Sequence, residues 1–128
     1  PRNHIVPLSR QAIEILADLR PLTGHREWVF PSSRDWRKPM SDGTILKALR
    51  RCDISSEEMC GHGFRATART LLEEELGYPR DLTEHQLGHT VIGANGRAYD
   101  RTTHLPARHE MMQSWADYLD QLKASEST

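Results

Sequence analysis

Apolar side chains recur every three or four residues along most of the chain, which is the spacing of one face of an α-helix. This spacing predicts a helix after the N-cap Ser9, a second after the N-cap Ser41, a third over 63–76 and a longer one over 106–122. A shorter helix is predicted over 83–87. Pro21 and Gly24 are predicted to end the first helix, because proline lacks an N–H donor and glycine favours helix ends.

Two short apolar pieces lack helical spacing. His4-Ile5-Val6 predicts a short strand that Pro7 stops, and Trp28-Val29-Phe30 predicts either a second strand or a core anchor. The fold class predicted from the pattern is therefore mainly α with a few short β-strands.

The length of 128 residues suits one domain or a piece of one. We expect a partial domain over 1–124 and a disordered tail over 125–128. The first residue is not Met and an apolar stretch follows almost at once, which predicts that the natural N-terminal side has been removed.

Composition narrows the class of protein and its compartment. The longest apolar runs are far too short to span a bilayer, so no membrane partner is expected. The net charge of −1 by itself argues against a polyanionic partner. The chain has two cysteines, Cys52 and Cys60, and no signal peptide, which predicts a reducing cytoplasm and two small buried side chains.

Candidate chemistry is concentrated in the second half of the chain. His62 and Arg65 lie three residues apart at the start of a predicted helix, where free N–H groups and a guanidinium favour a phosphate. His89 follows a glycine, and Tyr99 lies ten residues later. A tyrosine hydroxyl becomes nucleophilic when cationic neighbours or a base favour the phenolate.

Each of these residues also has a structural interpretation. Arg65 would form an ion pair with Glu73 or Glu74, His62 would cap its helix, and Tyr99 would fill a seam between helices. A single HxxR pattern does not distinguish these alternatives.

In their order and spacing, the motifs resemble those of the tyrosine recombinases or phage integrases, most closely the prophage and genomic-island integrases. The resemblance covers nearly the whole chain and is carried by Val6-Pro7-Leu8-Ser9, Pro39-Met40-Ser41, His62-Gly63-Phe64-Arg65-Ala66-Thr67, Leu87-Gly88-His89, Ala98-Tyr99-Asp100-Arg101 and 111–119. It implies an N-terminally truncated part of the C-terminal catalytic domain of the tyrosine recombinase fold, a domain that cuts and rejoins DNA through a phosphotyrosine. It also implies no metal, no nucleotide and no other cofactor.

The same resemblance implies a role for each motif residue. Tyr99 would attack the scissile phosphate and form a 3′-phosphotyrosyl link, and Arg65 would stabilise the transition state. His62 would accept or assist the tyrosine proton, and His89 would bind the phosphate. The implied partners are double-stranded DNA attachment sites, on which the full-length protein would assemble as a homo-tetramer. The resemblance also implies that a prophage or genomic island encodes the protein and that it acts in the bacterial cytoplasm.

The sequence departs from the family pattern in two respects. The family's first arginine and its hairpin lysine have no counterpart here, so we expect that these 128 residues alone do not cleave DNA. Gly93 and Gly96 precede Tyr99 and predict a mobile tyrosine segment.

Local charge revises the argument from net charge. From Arg34 to Arg51 there are six cations and two anions, an excess of +4 that can line a phosphate backbone. The candidate DNA-binding residues in this segment are Lys38, Ser41, Lys47 and Arg50. The alternative is an ordinary solvated helix flank.

Two other classes of function remain open. His62, His85 and His89 would form a zinc site, although position 86 is Gln rather than the Glu of an HExxH helix and Gly88 interrupts the pairing. The apolar helix over 106–122 would instead dock on another subunit in a non-catalytic interaction domain.

Overall fold

The computed structural model describes residues 4–89 and 104–126, and the helices in these ranges confirm the mainly α prediction. The helices are α1 (Arg10–Thr23), α2 (Gly43–Arg51), α3 (Gly61–Glu74), α4 (Arg80–Gln86) and α5 (Leu105–Glu126). The β-structure found in the described ranges is one isolated antiparallel bridge between Pro31 and Pro39. None of the helices found there is long and apolar enough to cross a membrane.

The chain divides into two compact units. Unit 1 comprises Pro1–Gln11 and Arg65–Thr128, and unit 2 comprises Ala12–Phe64.

Unit 1 contains the hydrophobic core that the described residues form. Leu72 of α3, Leu82 of α4 and Met111 of α5 are buried together. Burial of each such side chain contributes about 1.5–3 kcal/mol, so this cluster holds the three helices against one another. The partly buried side chains around it are Leu76, Tyr78, Met112 and Trp115.

Helix ends in unit 1 follow the turn chemistry of the sequence. Gly77 has φ +69° and the N–H of Tyr78 donates to the carbonyl of Leu72 at 2.9 Å, a closure that left-handed glycine allows. Pro79 then provides the extended N-cap of α4, which therefore starts three residues before the predicted Thr83. Gly88, with φ +73°, follows α4 as predicted.

The predicted strand at His4-Ile5-Val6 is wrong. These residues are in no strand, and the carbonyl of Ile5 accepts a hydrogen bond from Arg108 Nη2 at 2.6 Å. A strand requires a neighbouring strand for its hydrogen bonds, and the described residues provide none beside this segment.

The first helix starts directly after Ser9, as predicted, but Pro21 does not end it. Pro21 lies inside α1, which continues to Thr23, and the N–H of Gly24 donates to Arg20 at 2.7 Å. A proline removes one backbone donor, so its cost is limited to the last turn here and the glycine marks the end.

In unit 2 the piece Trp28-Val29-Phe30 is neither strand nor core, since all three side chains are exposed. The turn after it is closed by two backbone hydrogen bonds of 2.9 Å, from Met40 to Phe30 and from Ser32 to Lys38. Two backbone bonds therefore bring the ends of this turn together without forming a strand.

The predicted N-cap Ser41 and the predicted burial of the cysteines are also wrong. Asp42 occupies the N-cap position of α2, and the Ser41 hydroxyl lies 3.1 Å from the Thr44 hydroxyl. Cys52 and Cys60 are both exposed, because the first follows the last turn of α2 and the second lies in a loop.

Helix α5 extends into the segment that was predicted to be a disordered tail. The helix includes Ser125 and Glu126, and the Ser125 hydroxyl donates to the carbonyl of Leu122 at 2.7 Å. The first two residues of the tail predicted over 125–128 are therefore helical, and the last two lie outside the described residues.

Candidate active site

Arg65 is anchored to the turn that follows α4. Its Nη2 donates a hydrogen bond to the main-chain carbonyl of Leu87, which lies 22 positions along the chain. The predicted alternative, an ion pair of Arg65 with Glu73 or Glu74, is not found among the described residues. Glu73 instead forms an ion pair with Arg69, with 3.3 Å between Arg69 Nε and Glu73 Oε1. A guanidinium has five N–H donors, so a contact at Leu87 is compatible with a bidentate grip on phosphate.

Packing alone does not fix the position of this guanidinium. Arg65 lines a cavity of about 220 Å³ in unit 1 together with apolar side chains such as Leu72 and Trp115. Arg65 is itself exposed, and its hydrogen bond to the carbonyl of Leu87 directs the cation toward the turn after α4.

His89 is attached to the preceding helix at two atoms. Its N–H donates to the carbonyl of Glu84 at 3.0 Å, and its ring Nδ1 lies 2.5 Å from Glu84 Oε2. Glu84 also lies 2.9 Å from Arg69 Nε, so an arginine holds the carboxylate that orients the ring. A carboxylate at Nδ1 leaves Nε2 as the ring atom for other partners.

His62 is the second residue of α3, is exposed and belongs to unit 2. The backbone beside it is close-packed, since a Cβ at Gly63 would lie 2.8 Å from Met59 Sδ. The predicted nucleophile Tyr99 and the glycines Gly93 and Gly96 lie outside the described residues.

A buried polar cluster in unit 1 was missed by the sequence analysis. Arg108 of α5 is fully buried, and its Nε donates to Gln86 Oε1 at 2.9 Å. Burial lowers the pKa of the Arg108 guanidinium. A signal was present, since Arg108 lies three residues before Met111 on the predicted apolar side of α5.

His85 is a second buried polar residue of unit 1. It is 4% exposed and its ring centroid lies 6.0 Å from that of His104. Burial lowers the pKa of His85, the positive charges of His104 and Arg108 lower it further, and Asp81 acts in the opposite direction. The structure thus favours the neutral ring.

The zinc alternative needs three ligands around one point. Within residues 4–89 and 104–126, no group of three His, Cys, Asp or Glu side chains is arranged to hold a metal ion. His89 directs its Nδ1 to Glu84 and His85 is buried.

The interaction-domain alternative depended on the apolar side of α5. Met111, Met112 and Trp115 of this helix pack in or against the core of unit 1. Leu119 and Leu122 remain 44% and 43% exposed. Most of the apolar side is therefore used within the unit.

The candidate DNA-binding residues of unit 2 differ in their surroundings. Arg50 Nη1 donates to the carbonyls of Ile54 at 2.5 Å and Met59 at 3.3 Å, so its guanidinium ties a loop to α2. Lys38 lies 3.9 Å from Asp35 and its side chain is 75% exposed.

Lys47 and Ser41 lie elsewhere in unit 2. Both line a cavity of about 650 Å³, which also contains the cations Arg34 and Arg51. Of the four candidates, Lys38, Ser41 and Lys47 remain predictions that fit an external phosphate, whereas the guanidinium of Arg50 already holds two carbonyls.

Comparison with known families identifies the class of protein. The profile described as "Phage integrase family" matches residues 1–104, and the chain belongs to this family. No solved structure matches the chain.

The chain is similar to integrases of phages and prophages. It is 45% identical to the integrase of Enterobacteria phage P4 over 91% of this chain and 27% of that protein. It is 41% identical to the prophage integrase IntA of Escherichia coli K12 over 98% of this chain, and 43% identical to the prophage integrase IntZ of the same strain over 96%. The chain spans 27–30% of the length of these relatives.

Proposed function

We propose that the full polypeptide containing this chain is a site-specific tyrosine recombinase that integrates or excises DNA. The observation that carries the proposal is the arrangement in unit 1. Arg65 is tied to the carbonyl of Leu87, and two residues later His89 is oriented by Glu84. A cation hydrogen-bonded to this short turn and an imidazole at the end of the same turn suit the binding of a phosphate. Family membership supports site-specific recombination in general.

The proposed reaction conserves the phosphodiester energy. The Tyr99 oxygen attacks phosphorus, the bond from phosphorus to the 5′ oxygen breaks, and a 3′-phosphotyrosyl link forms. His62 takes the phenolic proton, and the leaving 5′ oxygen takes a proton from solvent water to become a free 5′-hydroxyl. Attack by another 5′-hydroxyl reverses these steps and rejoins the strand. Positioning and charge stabilisation dominate phosphoryl transfer, so Arg65 and His89 act on the phosphate oxygens.

The proposed partners are two DNA attachment sites and four copies of the polypeptide, acting in the cytoplasm of the bacterial host. We further propose that these 128 residues by themselves do not cleave DNA, because a first arginine and a lysine typical of the family have no counterpart in them. Detection of a covalent adduct between this chain alone and a nicked attachment site would contradict that statement.

The test is Tyr99→Phe in the full polypeptide, assayed for covalent trapping on a nicked attachment-site duplex. The chain contains three tyrosines, and Tyr78→Phe and Tyr118→Phe are the matched controls. We expect Tyr99→Phe to abolish the adduct and both controls to retain it. Retention of the adduct in Tyr99→Phe would remove this tyrosine from the role of nucleophile, and absence of any adduct with the unchanged polypeptide would contradict the proposed reaction.

A further inference from the structure

Arg108 closes a ring of hydrogen bonds that involves three segments of unit 1. From α5 its Nε donates to the side chain of Gln86 at 2.9 Å, and its Nη2 donates to the carbonyl of Ile5 at 2.6 Å. The ring of His4, next to Ile5, lies 3.1 Å from the carbonyl of Gln86 through its Nε2. The last residue of α4 is therefore held by its side chain and by its main chain.

This ring lies directly before the turn that anchors Arg65. The carbonyl of Gln86 is bound by His4, and the next carbonyl, that of Leu87, is bound by Arg65. Gly88 follows in the left-handed region and His89 comes after it. The two carbonyls belong to adjacent peptide units, so a shift of the backbone at Gln86 would also shift the acceptor of Arg65.

The buried arginine is poorly explained as a device for stability alone. A buried charge has a large desolvation cost, and an apolar side chain of the same size often stabilises such a position better. Arg108 is completely buried, and its guanidinium donates to the side chain of Gln86 and to the carbonyl of Ile5. A guanidinium instead gives fixed directions to several hydrogen bonds at once, which suits the placement of a backbone turn.

We propose that Arg108 and Gln86 are positioning residues of the active site, which hold the turn after α4 so that Arg65 is fixed for the phosphate. The inference rests on the proposed recombinase reaction. Neither residue contacts DNA in this proposal, and both act through the carbonyl of Leu87.

The decisive experiment is a double-mutant cycle in the full polypeptide. Gln86→Met removes the acceptor of Arg108 Nε and keeps the size of the side chain, whereas Gln86→Glu keeps an acceptor for Nε and serves as the conservative rescue. Each substitution is made alone and together with Arg65→Lys. Lysine lacks the planar guanidinium, which can donate two parallel hydrogen bonds to a phosphate. The readouts are the rate of adduct formation at saturating nicked attachment-site duplex, the Kd for that duplex and the Tm.

We expect Gln86→Met to slow adduct formation by about 10- to 100-fold, the scale of a misplacement near 1 Å, with Kd changed less than about twofold. Gln86→Glu should restore most of the rate. When Arg65→Lys is already present, Gln86→Met should lower the rate of adduct formation by less than about a further threefold. The effects of two substitutions are not additive when the residues act through the same contact.

Three results would overturn the positioning role. The first is an unchanged rate of adduct formation in Gln86→Met. The second is an equal loss of rate with and without Arg65→Lys, and the third is a loss of rate that the decrease in Tm explains completely. If Gln86→Met does not fold, Arg108→Lys replaces it in the same cycle with the same expected coupling. An Arg65→Lys polypeptide as active as the unchanged one would contradict the proposed reaction itself, and an adduct-forming polypeptide without coupling would contradict the positioning role alone.

Discussion

The guanidinium of Arg65 donates a hydrogen bond to the main-chain carbonyl of Leu87, which joins the HxxR segment of α3 to the Leu-Gly-His segment after α4. Two motifs that are 22 residues apart in sequence therefore share one contact. In the proposed site this contact couples Arg65 to the Leu-Gly-His segment, since a change in the turn after α4 would change the position of the cation on α3.

Glu84→Gln is predicted to slow adduct formation. The carboxylate of Glu84 lies 2.5 Å from Nδ1 of His89 and holds its ring in place. A hydrogen bond involving a charged group contributes about 1.5–3 kcal/mol, and loss of about 1.4 kcal/mol in the transition state lowers a rate about tenfold. We expect about this reduction in single-turnover trapping assays of the full polypeptide.

The matched control for Glu84 is Glu73→Gln. Both carboxylates contact Nε of Arg69, at 2.9 Å for Glu84 and 3.3 Å for Glu73, but the hydrogen bond to His89 is made by Glu84. We expect the control to retain the rate within about twofold, as is usual for a partly exposed ion pair. An equal loss in both variants would assign the effect to Arg69 rather than to His89.

Gly88→Ala is predicted to affect activity as well as stability, and Gly77→Ala to affect stability alone. Both glycines have left-handed backbones, with φ +73° and φ +69°, so alanine costs about 1–2 kcal/mol at either position. A Cβ at Gly88 would lie 3.7 Å from the ring of His4, an ordinary contact, and one at Gly77 would meet no atom within 4 Å. The strain is therefore in the backbone in both cases.

The difference between the two glycine variants comes from their positions. Gly88 precedes His89 directly, whereas Gly77 joins α3 to α4. Chemical unfolding should show similar losses for the two, and trapping assays should show a loss of rate for Gly88→Ala beyond that for Gly77→Ala. Equal rates in the two variants would show that the turn tolerates relaxation without moving His89.

Much of the fold could be predicted because the helix signals are local. Apolar spacing, the position after Ser9 and the glycines at 77 and 88 all act within a few residues of the helix ends they define. The strand predicted at His4-Ile5-Val6 failed because strand formation depends on a distant partner. The carbonyl of Ile5 is bound by an arginine from α5 instead.

The candidate site likewise combines residues that could be predicted from local motifs with contacts that could not. The order of His62, Arg65 and His89 could be recognised from motifs, but the acceptor of Arg65 is a main-chain carbonyl and carries no side-chain signature. The orienting role of Glu84 was missed because it depends on the turn at Gly88 bringing His89 back to α4. Such contacts depend on tertiary geometry rather than on residue type.

Lys47→Gln and Arg50→Gln are predicted to have different effects. Lys47 lines an open cavity beside other cations, so its loss should weaken DNA binding and lower the slope of log Kd against log salt by about 1. The Arg50 guanidinium holds the carbonyls of Ile54 and Met59, and its loss leaves these acceptors without that donor. We expect Arg50→Gln to reduce the free energy of unfolding by about 1–3 kcal/mol.

Salt titrations of DNA binding and chemical unfolding, run on both variants, separate these effects. Lys123→Gln is the control for charge alone, because that side chain is exposed in the last turn of α5 and lies outside the candidate DNA-binding segment. Should Arg50→Gln lower the salt slope while leaving the free energy of unfolding unchanged, Arg50 would be a DNA contact and the loop contact would be incidental.

The free energy of unfolding is predicted to decrease as the pH falls below about 6.5, the usual pKa of an unfolded histidine, and His85 is the cause. Burial, with help from the charges of His104 and Arg108, holds the pKa of His85 below that value in the folded chain, and Asp81 opposes the shift. The unfolded state therefore binds the proton more readily, so acid favours unfolding.

His85→Gln should make the pH dependence flatter between pH 7.5 and pH 5.5, since one proton linked to unfolding contributes up to about 1.4 kcal/mol per pH unit. Above about pH 7.5 the ring is neutral in both states and contributes no slope. The control is His109→Gln, at an exposed position of the same helix as Arg108. Urea unfolding at a series of pH values measures the slope, which is compared within each variant because the substitution at a buried site also lowers the baseline. A slope that is the same in His85→Gln as in the unchanged chain would show that another group takes up the proton.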